Sequence, residues 1–352
     1  YIALSLQSKL EIGTNITLTA DVVGKKVDVY TDETTYTTEW SDNPIWCLLD
    51  FLTGYNGAGL DMSYIDMASF LEAAAYCDEQ IGWENEAETI PRKRFTLNLI
   101  LDAKNSVVDW INEILLVCQG YLSYQNGKYA VVLEKPEAVS QVFDASNCND
   151  ITLNWLKNEE IFDVVDVRFK SKDHESVYIN AKAEADEFLR PNAPFIMTRD
   201  IYGVTNFNQA SRLAWFYLNQ SQTTKEFITF KTSRIGLDRT IGDVIAVTDY
   251  IKSVIEKKYR IISMTEAEDG QITIVGREYN ENLYTDTLGQ VEPTINQVQV
   301  GQTPIYVGTG NIASGVDPSL VGDGNITEEN YEILSTIAST RIIDCGNLED
   351  KI

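Results

Sequence analysis

The side chains that could do chemistry are few, and their spacing does not set them to work together. The single histidine, His174, sits in the polar run SKDHES. Nucleophilic catalysis would need it beside an activated Ser or Cys, and no motif such as GxSxG is present. Acidic pairs stand at Asp78-Glu79, Glu159-Glu160 and Glu328-Glu329. A glycosidase needs two carboxyl groups facing one bond, whereas neighbours in a chain usually point apart, so these pairs read as solvated surface. The stretch GTGNIASG (308–315) is glycine-rich but lacks the lysine of a phosphate-binding loop. Residues 323–325, DGN, are too little for a calcium loop. Cys47, Cys77, Cys118, Cys148 and Cys345 form no CxxC pair, and one histidine does not complete a zinc set. Cys47, Cys77 and Cys118 lie among apolar neighbours, in IWCLLD, AAAYCDE and LLVCQG. They read as buried free thiols, as expected of a protein assembled in a reducing cytoplasm. No residue is assigned as catalytic, cofactor-binding or metal-ligating, and no cofactor is expected.

Bulk properties narrow the class further. The 352 residues exceed one ordinary core and point to two or three domains. Hydrophobic residues make up 44% and charged residues 23%, enough for a packed interior. Tyr, at 18 copies, with frequent Thr and Val, leans towards strands, whose pleated surface suits ring and branched side chains. The net charge of −25 repels phosphate backbones, so a conventional nucleic-acid binder is excluded. That charge fits either a solvated surface or a wall past which DNA slides without sticking. No apolar run approaches the roughly 20 residues of a membrane helix. No signal-peptide pattern is visible, and Tyr1 is not an initiator methionine, so the chain reads as a fragment or a processed product.

Elements follow from periodicity. Residues 3–31 alternate and read as a strand pair broken near Gly24, and 32–44 as a polar loop ending in Asn43-Pro44. PIWCLLDFLTG (44–54) is a helix with Pro44 in its first turn, Gly54 as its stop and Trp46, Leu49 and Leu52 buried. Residues 63–80 read as a second helix, with Ser63 and Asp66 as a capping box and a wide apolar stripe from Ile65 and Ala68 to Ala75 and Cys77. RFTLNLIL (94–101) reads as a strand, 105–119 as a helix through Val108, Ile111, Leu115 and Cys118, and 121–134 as a hairpin turning at Asn126-Gly127. Beyond 150 the pattern is mostly β: strands at 164–172, 175–184, 225–233 and 242–249, and a hairpin over 258–279 turning at Asp269-Gly270. One helix, 208–222, places Leu213, Phe216 and Tyr217 on one side, and this whole part reads as barrel-like with that helix laid on it. Residues after 286 read as linker, with a short helix at 327–336.

Several unlinked motifs occur in one order. They are NPIWCLLDFLT, Gly57 and Gly59, IDMASFLEAAAYCDE, RFTLNLIL, GYLSYQNGKYAVVLEKP, VVDVRF, DIYGVTNFNQASRLAWFYL, TFKTSRIGLDRTIGDVIAVTD and GREYNENLY. Together they resemble the hub portion of the phage lambda tail-tip host-specificity protein J family, over about residues 1–285. Gly203 to Ala214 and Gly236 to Val244 are the other recognisable signatures, while Trp46, Trp215 and Gly242-Asp243 read individually as core anchors and a turn. The resemblance implies an α+β, mostly β fold of two barrel-like hub domains with a small helical insertion. Its expected division is 1–43 as the end of a first β domain, 44–140 as an α+β domain, 141–285 as a barrel-like domain, and 286–352 as linker and short helix. It further implies a homotrimer at the virion tail tip, closing the tail tube against distal tail proteins and the tape-measure protein, joined to a central fibre. DNA would pass without tight binding, and no stable membrane association is expected. A host-receptor-binding adhesin and, behind it, a cell-wall glycosidase are the competing readings.

Overall fold

The computed structural model describes residues 24–84, 89–101, 105–172, 178–190, 192–233, 236, 238–267 and 270–284, all within the compact unit Tyr1–Leu288. The readings for 1–23, for 286–352, for His174, Asp269, Cys345 and Glu328-Glu329, and for the runs at 308–315 and 323–325 lie outside these residues.

The first described element is a hairpin of β1 (Lys26–Tyr30) and β2 (Tyr36–Trp40), closed by Asp32, whose carboxylate accepts from the Thr34 and Thr35 amides. Residues 32–44 are therefore not only loop. The run YTTEW carries β-branched and aromatic residues, but its wholly exposed side chains hide the alternation that marks a half-buried strand. Helix α1 (Pro44–Thr53) starts as the sequence predicts: the Asn43 side-chain Oδ1 accepts from the Ile45 amide at 2.9 Å, and Pro44 opens the first turn. Its Trp46, Leu49 and Leu52 are buried. Gly54 ends it, and Gly57 must remain glycine, because a Cβ there would sit 1.8 Å from the Phe51 carbonyl oxygen.

Helix α2 (Met67–Asp78) begins four residues later than the capping-box reading. Asp61, rather than Ser63, caps a short 3₁₀ turn at Met62–Tyr64, and Asp66 precedes α2 without making a side-chain cap. Its buried stripe is narrower than expected: Met67, Phe70, Ala73, Ala74 and Cys77 face inward, while Ala68 and Ala75 are exposed. A hairpin of β3 (Gln80–Glu84) and β4 (Thr89–Lys93) follows, unforeseen in the charged sequence. The predicted strand at 94–101 is instead an extended thread without a ladder. Its amides bond one by one to different elements: Phe95 to the Cys77 carbonyl at 3.1 Å, Leu97 to Asp42 at 2.7 Å, and Asn98 to Gly203 at 2.9 Å. Backbone satisfaction is complete in kind but comes from tertiary partners, which periodicity does not report. Helix α3 (Val107–Leu116) carries a capping box of Ser106 and Asp109. The next hairpin, β5 (Gly120–Gln125) and β6 (Lys128–Leu133), turns at Asn126-Gly127, with φ of 50° and 80°, as read.

A six-stranded sheet is built from β7 (Val139–Phe143), β8 (Cys148–Trp155), β12 (Glu226–Thr232), β13 (Val244–Asp249), β14 (Val254–Glu266) and β15 (Ile272–Glu278), in the order β7-β13-β14-β15-β12-β8. Its edge strands β7 and β8 are consecutive in the chain. Laid flat, six strands would separate the edges by about 24 Å, but Phe143 and Cys148 are five residues apart and span at most ~18 Å. A tight turn, with Cys148 N donating to Asp144 O at 2.9 Å, holds them closer still. The sheet must therefore curl, and it curls around Phe143, Phe230, Tyr259, Ile228, Ile245, Val247 and Ile274. No closed barrel ladder is present among the described residues.

Between the neighbouring strands β8 and β12 the chain makes an excursion, pinched shut where Leu156 N donates to Lys225 O at 2.8 Å. It contains β9 (Val164–Lys170), β10 (Tyr178–Glu184), β11 (Ile196–Asp200) and α4 (Phe207–Thr223). The three strands form a separate sheet, order β10-β9-β11, with β9 and β11 parallel. Helix α4 lies on β9 and β10, and Arg277 of β15 donates to the Gln220 carbonyl near its end at 3.2 Å. The fold is thus α+β and mostly β.

Candidate functional site

The signature motifs converge on two joints that fasten residues 43–137 to the sheets. At the first, residues 206–212 run into the first turns of α4, where every residue from Phe207 to Ala214 is buried. Asn206 caps that helix by accepting from Gln209 N at 2.8 Å. The buried amide of Gln209 then serves the thread at 94–98. Its oxygen accepts from Thr96 N at 3.1 Å, and its nitrogen donates to Thr96 O at 3.1 Å and Val117 O at 3.2 Å. Arg212 donates to Asn208 Oδ1 and to the Arg94 carbonyl, and stacks over Phe95. Gly203 lets this joint close, because a Cβ there would meet Leu97 and Val117 at 2.5 and 2.7 Å. A glycine signature followed by a polar helix start is thus a packing device. Trp215, read as a core anchor, is only half-buried, whereas Trp46 is fully in the core.

The second joint centres on Arg260 of β14, whose side chain is 4% exposed. It donates to Gly242 O at 2.9 Å and to the Lys135 carbonyl, and it lies 3.3 Å from Glu134 and 3.9 Å from Glu137. The rings of Tyr279 and Tyr284 flank the guanidinium at 5.5 and 5.7 Å. Tyr284 OH donates to Glu134 at 2.9 Å, and Tyr279 OH accepts from the Glu137 amide at 3.0 Å. The last motif, GREYNENLY, therefore supplies the walls of an arginine clamp. Burial alone would lower the Arg260 pKa, but Glu134, Tyr284 and Glu137 outweigh it and raise it. Burial pushes the Glu137 carboxyl up, against the pull of Arg260 and Lys135. Gly242, at φ +103°, belongs to the same joint: a Cβ would meet Val132 at 2.3 Å. The Gly242-Asp243 turn is as read, with Asp243 accepting from the Thr240 amide at 3.0 Å.

The residues weighed for catalysis are placed apart. Asp78 bonds Asn43 Nδ2 at 2.8 Å and Lys93 at 2.9 Å, while its neighbour Glu79 pairs with Arg94 at 2.9 Å. Glu160 accepts from the Lys157 amide in an exposed 3₁₀ turn that also carries Glu159. Cys77, Cys118 and Cys148 are buried free thiols, and Cys47 is free and partly buried. Burial pushes the Cys47 and Cys148 thiols up to about 11 and raises that of Cys77 as well, so these sulfurs are poor nucleophiles. Among the described residues no group of three His, Cys, Asp or Glu could hold a metal, and no helix is long and apolar enough to cross a membrane.

An open groove of about 220 Å³ lies beside the second joint, between α2, β6 and the turn at 240–243. Asp66, Glu72, Lys135, Glu137 and Asp243 contribute charge to its lining. Sequence reading missed it, since its parts are separated by over 170 residues and no motif links them.

No family model matches the chain. It is 28% identical over 232 residues to tip attachment protein J of Escherichia phage SECphi27, a match covering 62% of this chain and 18% of that protein. It is 24% identical over 304 residues to baseplate hub protein pb3 of Escherichia phage T5, covering 80% of this chain and 31% of that protein. The chain thus spans less than a third of the length of either relative. Among solved structures, a chain of the native gene transfer agent virion aligns over 52% of this chain and 40% of its own, at 13% identity and a TM-score of 0.43. A tail protein from Neisseria meningitidis MC58 aligns over 54% and 60%, at 12% identity and a TM-score of 0.40. The likeness to protein J read from the motifs is matched by these sequence relatives.

Proposed function

We propose that this chain is the hub part of a phage tail tip, a structural component of the virion that is assembled in the host cytoplasm. Three copies form a ring that closes the distal end of the tail tube, meets the distal tail proteins and the tape-measure protein, and joins a central fibre that contacts the host. The ring opens to let DNA leave. The observation that carries this reading is the sequence similarity to a baseplate hub protein across 304 residues, four-fifths of the chain. The division at 44–140 and 141–285 into two hub domains is part of the same proposal.

The geometry suits a structural role. The motif residues end in buried clamps that hold parts together, and of the acidic residues weighed, Asp78, Glu79 and Glu160 are taken up by local partners. A net charge of −25 suits a passage for DNA, since like charge keeps the phosphate backbone from adhering. Disrupting the gene in the phage tests the reading: we expect particles without functional tails, and complete infectious tails lacking the chain would overturn it. Purified chain applied to peptidoglycan separates the hub from a cell-wall glycosidase, with no turnover expected.

A further inference from the structure

The groove beside β6 contains an unfinished strand slot. In the β5–β6 hairpin the pair Gln125–Lys128 flanks the two-residue turn, and Glu134 N donates to Gln119 O at 3.1 Å. Alternation then fixes which groups face away from β5: those of Tyr129, Val131 and Leu133. The chain itself fills the start of this outer edge. Ile65 bridges Tyr129 in parallel fashion, Asp66 N donates to Tyr129 O at 2.9 Å, and Ser69 Oγ accepts from Val131 N at 3.1 Å. There α2 begins and the chain turns away. Val131 O, Leu133 N and Leu133 O have no hydrogen-bond partner among the described residues, although Leu133 is only 3% exposed. Buried main-chain groups in this state favour a partner that completes the ladder.

We propose that the groove takes an extended, lysine- or arginine-bearing segment of a different polypeptide, which adds a strand to the outer edge of β6. The charges select the occupant. Asp66 makes no side-chain cap. Glu137 keeps only a 3.9 Å contact with Arg260, and Asp243, which accepts from the Thr240 amide and hydroxyl, has its nearest cation, Arg239, at 3.7 Å. Lys135, the one cation among the described residues lining the groove, is taken up by Glu72. An added cation facing Glu137 and Asp243 relieves this excess, and burial of the Glu137 carboxyl raises its demand for one. The chain's own residues 285–352 are a poor occupant, with two basic residues, Arg341 and Lys351, against ten acidic ones. A second copy seated here would give cross-links confined to this chain. Main-chain bonds supply affinity in such strand addition, and the acidic lining supplies selectivity.

The inference rests on the hub reading for where the partner is found, so the experiment uses purified tails. Glu72, at the exposed lip, is replaced by a photoreactive residue (Glu72→p-benzoylphenylalanine), and the cross-linked peptides are mapped. Exchange of the Leu133 amide is compared between isolated chain and tails. We expect cross-links to another tail polypeptide at a Lys- or Arg-containing segment, with Leu133 exchange slowed by about 100-fold in tails. Cross-links confined to this chain, or unchanged Leu133 exchange in tails that contain it, would overturn the strand-addition proposal and leave the hub reading standing. Absence of the chain from tails would overturn the hub reading itself.

Discussion

The curled six-stranded sheet and the segment 43–137 are held by different physics. The sheet curls over its own apolar side chains: Phe143 and Phe230 meet with ring centroids 4.9 Å apart, and around them lie buried Ile, Val and Tyr residues. The helical segment has its own small core, but it is fixed to the sheets through buried polar groups, above all Gln209, Arg212 and Arg260. Apolar burial tolerates exchange among shapes of similar volume. A buried donor that serves several acceptors does not, because each acceptor left alone costs free energy. The lesson is that one part of the molecule is stabilised by bulk and the other is positioned by specific bonds.

Conservative substitutions should break this contrast if it is wrong. Arg260→Ala removes the cation facing Glu134 and Glu137 and the donor to two carbonyl oxygens, and we expect a loss of about 3–5 kcal/mol. Arg260→Lys should rescue little, since a point charge cannot reach the same acceptors. Phe230→Ala should cost a similar ~3–5 kcal/mol, yet Phe230→Leu should recover most of it. Denaturant melts of the four variants check both the size and the asymmetry. Gln209→Ala comes next, at about 1–3 kcal/mol from unsatisfied Thr96 and Val117 groups, and hydrogen exchange should rise in the thread at 94–98 before the six-stranded sheet opens.

A pH series sharpens the picture in the three-stranded sheet. Asp163 is buried, and although burial raises its pKa, bonds from the Phe195 and Leu189 amides and from Arg190 outweigh this and lower it. A depressed folded value means that its stabilisation is present above the ordinary value near 3.8 and is lost as pH falls through the folded value. Asp163→Asn should therefore differ most from the wild type near neutrality and converge with it in acid. The smallest effect is expected at Ile251, which is 95% exposed at the β13–β14 turn beside Tyr250 at 80%. Ile251→Ser should change stability by no more than about 0.5 kcal/mol.

What could be read from the sequence follows the same divide. Elements with local signals were legible: Asn43-Pro44 before α1, Asn126-Gly127 in the β5–β6 turn, and the alternation of β12. Elements defined by tertiary partners were not. The thread at 94–98 has the composition of a strand but bonds to several separate elements, and β2 hides its alternation by facing solvent on both sides. The start of α2 slipped because Ser63 and Asp66 fit a capping box that the 3₁₀ turn at Asp61 pre-empts. The excursion between β8 and β12 was invisible because strand order is not a local property. The motifs pointed to the joints without revealing them: Gly203, Gly242 and the Tyr279–Tyr284 pair identify a pattern, and only the packing shows that they bracket Gln209 and Arg260.

Imaging assembled tails by cryo-electron microscopy tests the central claim most directly. The account predicts three copies of this chain around the tube axis at its distal end, with the six-stranded sheet forming part of the ring. A copy number other than three, or a location along the tube wall or on a peripheral fibre, would contradict it.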